Sequence, residues 1–203
     1  MLYLYSYEGE LPPLDDLRRM LGDAAEEIRR PESLVWRLLL RQALSDLAVS
    51  GDAAGTLARI QAAENGRPFA PSAEFDFNPT HTKGLVALAI GDCGPIGLDA
   101  EALGGRDVSR LIRAADRWFT PEESRCVHAA IVNCPQSAEE AFLRIWTAKE
   151  ALVKRSGAGL AGMRQADSRS PGCALQTFTH ASFILSVATS RQEPIPQFRS
   201  LTL

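Results

Sequence analysis

Alternating and helical patterns of apolar residues predict strands and helices in the first half of the chain. Residues 2–7 alternate around tyrosines, which predicts a strand, and the apolar run 84–90 has the length of a buried strand. Residues 33–47 carry leucines at helical spacing, which predicts a helix. A turn is predicted at residues 50–52. Residues 56–64 are ambiguous, because their alanines favour a helix but their apolar stripe is poor.

The second half contains the same two kinds of element. A strand over residues 96–101 follows a tight turn, which is typical of a hairpin with the preceding strand. Helices are predicted over residues 107–119, from Thr120 onward, and from residue 138 to about 155. Thr120 is followed by proline and glutamates, which suits a helix N-terminus. Two closing strands are predicted between residues 175 and 187.

Strands and helices occur in both halves and no low-complexity linker separates them, so we predict an α+β fold. The chain has 203 residues, enough for one large domain or two small ones. We place the join near Asp99. This gives an N-terminal α+β half over residues 1–98 and a C-terminal α+β half over residues 99–203.

Composition narrows the class of protein. Lys and Arg number 22 and Asp and Glu 25, so the net charge is −3 and no chain-wide basic field favours nucleic-acid binding. The best apolar run, residues 85–90, is far shorter than the roughly 20 residues of a membrane span. The chain start lacks a basic signal-peptide region, and the four cysteines form no C-x-x-C pair. We therefore expect reduced thiols in a cytoplasmic protein without membrane or nucleic-acid partners.

Two carboxylates lie two residues apart on the strand after the turn. Side chains at positions i and i+2 of a strand point the same way, so Asp99 and Glu101 address one point, with small Ala100 between them. Like charges placed so closely repel each other unless a cation lies between them, and Mg²⁺ prefers oxygen ligands. The alternative is a solvated strand end, which in isolation is the better interpretation.

A carboxylate and an ammonium group lie one turn apart on the longest predicted helix. Glu150 and Lys154 are separated by four residues and share one helical face. They are either a surface ion pair or a metal carboxylate beside a phosphate-binding lysine. Spacing alone favours the ion pair.

Possible anion-binding groups precede the apolar strand 84–90. Thr80, His81 and Thr82 follow a short predicted strand at residues 75–77 and offer hydrogen-bond donors. Arg67 follows an Asn-Gly turn and precedes a proline, which holds it in extended backbone suited to contact with a phosphate. For a lone histidine an exposed surface turn is the better interpretation, and a surface arginine after a turn is commonplace.

Four arginines are spaced by four, three and four residues, which predicts one basic face on the helix over residues 107–119. This face could bind an acidic partner or be a solvated surface, since two aspartates lie on the same helix. The four are Arg106, Arg110, Arg113 and Arg117.

The order of these segments resembles the 4′-phosphopantetheinyl transferase superfamily, specifically its longer, surfactin-synthetase-activating type. The resemblance extends from about Gly66 to Leu160. Its most specific elements are the pair Gly-x-Asp-x-Glu and Trp-x-x-Lys-Glu-x-x-x-Lys. The segments that carry it are Asn-Gly-Arg-Pro from Asn65, Phe-Asn-Pro-Thr-His-Thr from Phe77, Gly-Leu-Asp-Ala-Glu from Gly97, Phe-Thr-Pro-Glu-Glu from Phe119 and the Trp146 to Lys154 segment.

The resemblance implies a monomeric pseudo-dimer of two similar α+β halves with the active site in the cleft between them. It implies transfer of 4′-phosphopantetheine from coenzyme A to a serine of an apo acyl or peptidyl carrier protein, in fatty-acid, polyketide or peptide synthesis. Mg²⁺ would bind Asp99, Glu101 and Glu150. Lys154 would contact the coenzyme A phosphates, and the arginine face, Arg106 to Arg117, would bind the acidic carrier. The residues implied for the nucleotide end are Arg67, Thr80 and His81.

The resemblance also implies a mechanism. The serine hydroxyl attacks the β-phosphate, and Glu150 or a water beside the metal takes its proton. Lys154 and His81 offset charge on the adenosine 3′,5′-bisphosphate that leaves.

This chain departs from the family pattern at several positions. Threonines flank His81 where serines are common, and Ala100 replaces a branched aliphatic residue. The family pattern implies a strand at residues 56–64, against the local propensity. The family also has N-terminal basic residues that hold the 3′-phosphate. The candidates here are Arg18, Arg19, Arg29, Arg30 and Arg41, and the sequence does not choose among them.

Two other functions are compatible with the sequence. The departures motivate a non-catalytic member of the same fold that only binds coenzyme A or a carrier, although the intact carboxylates and Lys154 argue against it. The second alternative is a different Mg²⁺-dependent phosphotransferase that acts on a nucleotide. Neither a G-x-x-x-x-G-K-[ST] loop nor a G-x-G-x-x-G segment supports the latter.

Overall fold

The computed structural model describes residues 1–25, 27–47 and 52–203, so residues 50 and 51 of the predicted turn lie outside the described residues. The helices are α1 (Leu14–Leu21), α2 (Pro31–Leu47), α3 (Ala53–Ala58), α4 (Val108–Trp118), α5 (Pro121–Asn133) and α6 (Ala138–Ser156). The strands are β1 (Leu2–Glu8), β2 (Gln61–Ala62), β3 (Pro68–Phe69), β4 (Asp76–Thr82), β5 (Leu85–Gly91), β6 (Gly97–Ala102), β7 (Ala174–His180), β8 (Phe183–Thr189) and β9 (Phe198–Ser200). The α+β prediction is confirmed. Within the described ranges, no helix is long and apolar enough to cross a membrane.

Two sheets pack against each other and are covered by helices on their outer faces. The first has strand order β4-β5-β1-β9 and the second β6-β8-β7. Alternate side chains of β1 enter different cores, so Tyr5 packs with α2 whereas Leu4 packs with Leu185 of the second sheet. Strands β5 and β8 are buried along their whole length, which explains their continuous apolar runs.

The end of the chain returns to the first sheet. Strand β9 pairs in parallel with β1, and the backbone N–H of Leu201 donates to the carbonyl of Ser6. Residues 98 and 99, on either side of the expected join, both lie in β6. The two halves are therefore linked by the returning tail as well as by packing between the sheets.

Residues 56–64 form mostly helix and turn rather than the strand that the family pattern implied. Asp52 caps α3 by accepting a hydrogen bond of 2.7 Å from the backbone N–H of Gly55, and only Gln61–Ala62 is extended. The expectation of a strand over the full segment was wrong. Alanine-rich sequence and an aspartate cap favour helix locally, and β2 pairs only with the equally short β3.

Strand β4 continues well past the three residues predicted for it. Pro79 is tolerated there because β4 is an edge strand of its sheet, where a missing N–H breaks no central ladder. Side chains of β4 bond the backbone of β6 instead. Asn78 Oδ1 accepts from the N–H of Leu98 at 2.8 Å, and Asp76 accepts from the N–H of Ile96 at 2.7 Å. These side chains join the edges of the two sheets.

A buried ion pair fixes α6 against α5. Lys149 Nζ lies 2.8 Å from Glu123 Oε2, and neither side chain is exposed to solvent. Glu123 also accepts from the N–H and hydroxyl of Ser168 and completes the capping box of α5 with Thr120. Burial raises the pKa of Glu123, but the hydrogen bonds from Lys149 and Ser168 outweigh it and lower the pKa overall. The residue before Glu150 is thus part of the core.

Candidate active site

Strand β6 and helix α6 bring the predicted carboxylate and lysine together. Lys154 Nζ lies 2.8 Å from Asp99 Oδ1 and donates to the carbonyl of Leu98 at 3.0 Å. Thr80 joins them from β4, with its hydroxyl 3.3 Å from Asp99 Oδ1 and 3.3 Å from Lys154 Nζ. Three segments that are distant in sequence therefore meet at one buried carboxylate.

Gly97 permits this approach. A Cβ atom at Gly97 would lie 1.8 Å from the backbone carbonyl of Ala151 in α6 and 2.7 Å from the backbone nitrogen of Arg155. No side chain can occupy that space, because backbone atoms cannot move aside as a flexible side chain can. The glycine of the Gly-x-Asp-x-Glu segment thus sets the distance between β6 and α6.

The carboxylates of Asp99, Glu101 and Glu150 perturb one another. The pKa of all three is raised, with burial as the largest cause. The charge of Asp99 raises the pKa of both glutamates further, whereas the ammonium of Lys154 opposes the shifts. A cluster of three carboxylic acids whose pKa values are each raised by burial is typical of a functional site.

The same three groups bear on metal binding. Among the residues that the structure describes, no three His, Cys, Asp or Glu side chains are arranged to hold a metal ion. The Asp99 side chain, however, is only 10% exposed, and its Oδ2 atom is buried without a hydrogen-bond partner in the described structure. An unpaired buried carboxylate oxygen beside two further carboxylates fits an oxygen-preferring divalent cation.

A cavity of about 600 Å³ opens over Asp99, Glu101 and Lys154. Buried Thr80 and exposed His81 line it from β4, so both lie where an anionic ligand would reach them. Both lie in strand β4, not in the surface turn that was the alternative interpretation of this segment.

Helix α2 contributes three cavity residues that were not site candidates from the sequence, Ser33, Trp36 and Arg37. The Arg37 guanidinium carbon lies 4.1 Å from the Trp36 ring centroid, and burial lowers the pKa of Arg37 to about 10. The available signal was that two arginines, Arg37 and Arg41, lie among the leucines of α2, and only Arg41 had been considered. The five N-terminal arginines considered from the sequence do not line this cavity in the described structure; Arg41 instead bonds the carbonyl of Met20.

Arg67 lies beside the cavity but is already engaged. Its guanidinium donates to the carbonyls of Lys154 and Ile96, at 3.3 and 2.9 Å, and forms an ion pair with Asp76. Asn65 adds a hydrogen bond of 2.8 Å to the carbonyl of Gly157. This turn therefore binds the end of α6, and Arg67 also lines an adjoining cavity of about 320 Å³ with Glu150 and Lys154.

The predicted arginine face is only partly a helical face. Arg110 and Arg113 are exposed on α4, and Arg117 stacks on Trp118 at 4.8 Å. Arg106 lies before α4, which begins at Val108, and pairs with Glu101 and Glu139, so its placement on this face was wrong. Helical spacing could not show that Asp107 caps the helix and ends the periodicity there.

Comparison with known proteins connects this site to a family. The sequence profile of the 4′-phosphopantetheinyl transferase superfamily matches residues 95–194, which include β6 and α6. The chain is 31% identical over 180 residues to 4′-phosphopantetheinyl transferase AcpT of Salmonella typhimurium, covering 85% of this chain and 83% of that protein. The chain belongs to the 4′-phosphopantetheinyl transferase superfamily.

Other relatives match over shorter lengths. AcpT of Escherichia coli O157:H7 is 35% identical over 131 residues, 64% of this chain and 59% of that protein. A 4′-phosphopantetheinyl transferase of Bacillus subtilis is 30% identical over 129 residues, 63% of this chain and 53% of that protein. Membership confirms the superfamily inferred from the sequence segments.

Proposed function

We propose that this protein transfers 4′-phosphopantetheine from coenzyme A to a serine hydroxyl of an apo acyl or peptidyl carrier protein. The observation that carries the proposal is the contact of Lys154 with Asp99, in a cavity that Glu101 also lines. This arrangement suits a pyrophosphate, and the matched relatives are named for the transfer. The non-catalytic alternative finds no support in a site where the acids and the lysine are all present.

Mg²⁺ is proposed as the metal of this site, held by Asp99, Glu101 and Glu150. The unpartnered oxygen of Asp99 and the raised pKa of all three acids support a cation here. When bound, such an ion supplies Lewis-acid polarisation of phosphate oxygens. Carboxylates are also ligands that suit Mg²⁺ in proteins.

The side chains of this chain then have distinct roles. Glu150 accepts the proton of the carrier serine, a role that suits a carboxylate whose pKa burial has raised. The serine oxygen forms a bond to the β-phosphorus, and the bond from that phosphorus to the bridging oxygen breaks. Lys154 and His81 offset the charge that remains on adenosine 3′,5′-bisphosphate.

The nucleotide end of coenzyme A is assigned to the α2 side of the cavity. Arg37 is the N-terminal arginine that lines it, and Thr80 provides a hydroxyl opposite. Arg67 is assigned to the adjoining wall, where its ion pair with Asp76 holds the Asn-Gly turn in place. The phosphates and adenosine would thus lie between β4 and α2.

We assign the chain to the long, two-lobed, surfactin-synthetase-activating type. In support, residues 1–98 provide three of the four strands of the first sheet and its covering helix α2, whereas the second sheet and its covering helix α6 come almost wholly from residues 99–203. The cavity lies between them, so one copy provides both walls and a monomer suffices. We also propose a cytoplasmic location, since the four cysteines, all within the described residues, are free thiols.

The carrier is assigned to the α4 side of the molecule. Exposed Arg110 lines a groove of about 350 Å³ that Glu101 also lines, and Arg113 is exposed on the same helix. Carrier proteins of this family are acidic, so positive charge here is complementary to them.

Ligand binding distinguishes this function from transfer of nucleotide phosphate. Calorimetric titration of the full chain with coenzyme A, adenosine 3′,5′-bisphosphate and ATP should give the tightest binding for coenzyme A. Tighter binding of ATP than of coenzyme A would overturn the proposal.

A further inference from the structure

The loop between β6 and α4 is organised by one acidic side chain. The Glu139 carboxylate, at the start of α6, accepts hydrogen bonds from three consecutive backbone N–H groups. These come from Gly104, Gly105 and Arg106, at 3.2, 2.8 and 3.2 Å. A carboxylate that satisfies three backbone donors fixes the loop, and these backbone bonds together with the Arg106 side chain lower the pKa of Glu139 against the effect of burial.

Arg106 then connects this loop to the proposed metal site. Its Nη1 atom lies 2.9 Å from Glu139 Oε1, and its Nη2 atom lies 2.6 Å from Glu101 Oε2. Nη1 also donates to the carbonyl of Ala102. The guanidinium fork is therefore shared between two carboxylates, and its planar shape determines where Glu101 can lie.

Glu101 forms a wall common to two spaces. It lines the cavity that contains Asp99 and Lys154, and it also lines the groove beside Arg110 and Trp146. The Arg106 guanidinium, 2.6 Å from Glu101 Oε2, therefore fixes the position of a carboxylate that both spaces share.

We propose that Arg106 is a positioning residue, held by Glu139, which orients the Glu101 carboxylate toward the divalent cation. This rests on the proposed function, which places the cation at Asp99, Glu101 and Glu150. Arg106 bonds Oε2 of Glu101, and the Thr82 side chain also hydrogen-bonds this carboxylate, so the two partners together limit the directions that it can take. Groups that orient metal ligands in this way have effects on metal affinity approaching those of the ligands themselves.

The test is Mn²⁺ binding by the full chain, followed by the loss of the free-ion electron paramagnetic resonance signal. Mn²⁺ prefers the same oxygen ligands as Mg²⁺. Arg106→Met should raise the Kd for Mn²⁺ by about 10- to 100-fold, the range found for groups that orient metal ligands. The Kd of Arg106→Lys should lie between those of the wild type and Arg106→Met, because one ammonium group cannot span both carboxylates. Glu139→Gln should also raise the Kd for Mn²⁺. It replaces Arg106→Met as the test variant if Arg106→Met does not fold.

Arg144→Met is the matched control, since Arg144 also pairs with a glutamate at the start of α6 but lies away from the cavity. It should leave the Kd for Mn²⁺ unchanged. Unchanged affinity in Arg106→Met, with wild-type binding intact, would overturn the positioning role alone and leave the proposed function standing. Tighter binding would overturn it too, by showing that Arg106 competes with the cation. Failure of the wild-type chain to bind Mn²⁺ would overturn the metal site and this inference together.

Discussion

Asn78 Oδ1 accepts a hydrogen bond of 2.8 Å from the backbone N–H of Leu98, so a side chain joins the edges of two sheets. Its neighbours in alternation do the same, with Asp76 bonded to Ile96 and Thr80 facing Asp99. Because side chains of a strand alternate, the residues that join the sheets and those that line the cavity come from the same short segment. The contacts that join the two sheets and the contacts that form the site are therefore made by the same strand, β4.

Removal of charge at Asp99 should abolish most of the activity without unfolding the protein. Asp99→Asn keeps the size of the side chain but removes the partner of Lys154 and one proposed metal carboxylate. We expect kcat for carrier modification to fall by at least about 10²- to 10³-fold, as on loss of one preorganised electrostatic group. Asp15→Asn, on exposed α1, should retain wild-type kcat. Near-normal turnover by Asp99→Asn would contradict the site.

The three lysines of the chain provide an internal comparison for phosphate binding. Lys154 lines the cavity, Lys83 is exposed and Lys149 is buried in its ion pair. Lys154→Met should weaken coenzyme A binding by about 10- to 100-fold, the equivalent of one hydrogen bond to a charged group. Lys83→Met should bind coenzyme A as the wild type does. Equal affinities for all three proteins in a calorimetric titration would refute the assignment of Lys154.

The buried pair of Lys149 and Glu123 should determine stability rather than chemistry. Lys149→Met leaves an uncompensated buried carboxylate, so the free energy of unfolding should fall by about 3–5 kcal/mol. The adjacent Glu122 is exposed and pairs with Arg125 at the surface. Glu122→Gln should therefore cost less than about 1 kcal/mol. Urea unfolding measures both changes, and a similar small loss in each would contradict the buried pair.

The same pair predicts a dependence of stability on pH. The folded-state pKa of Glu123 is lowered, so its contribution to stability is present above the unfolded pKa of about 4.3 and is lost as the pH falls through the folded value. Glu123→Gln should be less stable at neutral pH and lose less stability on acidification. Parallel curves of unfolding free energy against pH for the two proteins would show that Glu123 contributes nothing to the pH dependence of stability.

Charge reversal on α4 should affect the carrier and not coenzyme A. Arg110→Glu with Arg113→Glu is expected to raise KM for an acidic carrier by at least about tenfold, because it replaces complementary charge with repulsion. KM for coenzyme A should stay at the wild-type value, and Arg125→Glu on neighbouring α5 should change neither. High salt should reduce the difference in carrier KM between variant and wild type. An equal rise in both KM values would refute the assignment of this surface.

The sequence was most informative where local pattern and burial agree. Alternation predicted β1, and the continuous apolar run predicted β5, which is covered on both faces. Strand and helix periods placed Asp99 beside Glu101, and Glu150 beside Lys154, but the resemblance to the family was needed to select them as site residues. Their meeting depends on the close packing at Gly97, which no single segment shows by itself.

Other features depend on tertiary contacts that the sequence does not show. The extension of β4 through Pro79 requires knowing that β4 is an edge strand. Arg37 reaches the cavity because α2 packs against the sheet whose edge strand β4 also lines that cavity. Arg106 leaves the helical face because Glu139, 33 residues later, holds its loop. In each case a distant contact overrides or adds to the local pattern.

The most direct test of the central claim is the intact mass of an apo acyl carrier protein after incubation with this protein, coenzyme A and Mg²⁺. The account predicts a gain of one phosphopantetheine group on the carrier serine, prevented by EDTA and by Asp99→Asn. A carrier panel of fatty-acid, polyketide and peptide-synthetase types covers the possible acceptors. Unchanged mass for every carrier, with coenzyme A tightly bound, would contradict the account and indicate a binding protein without transferase activity.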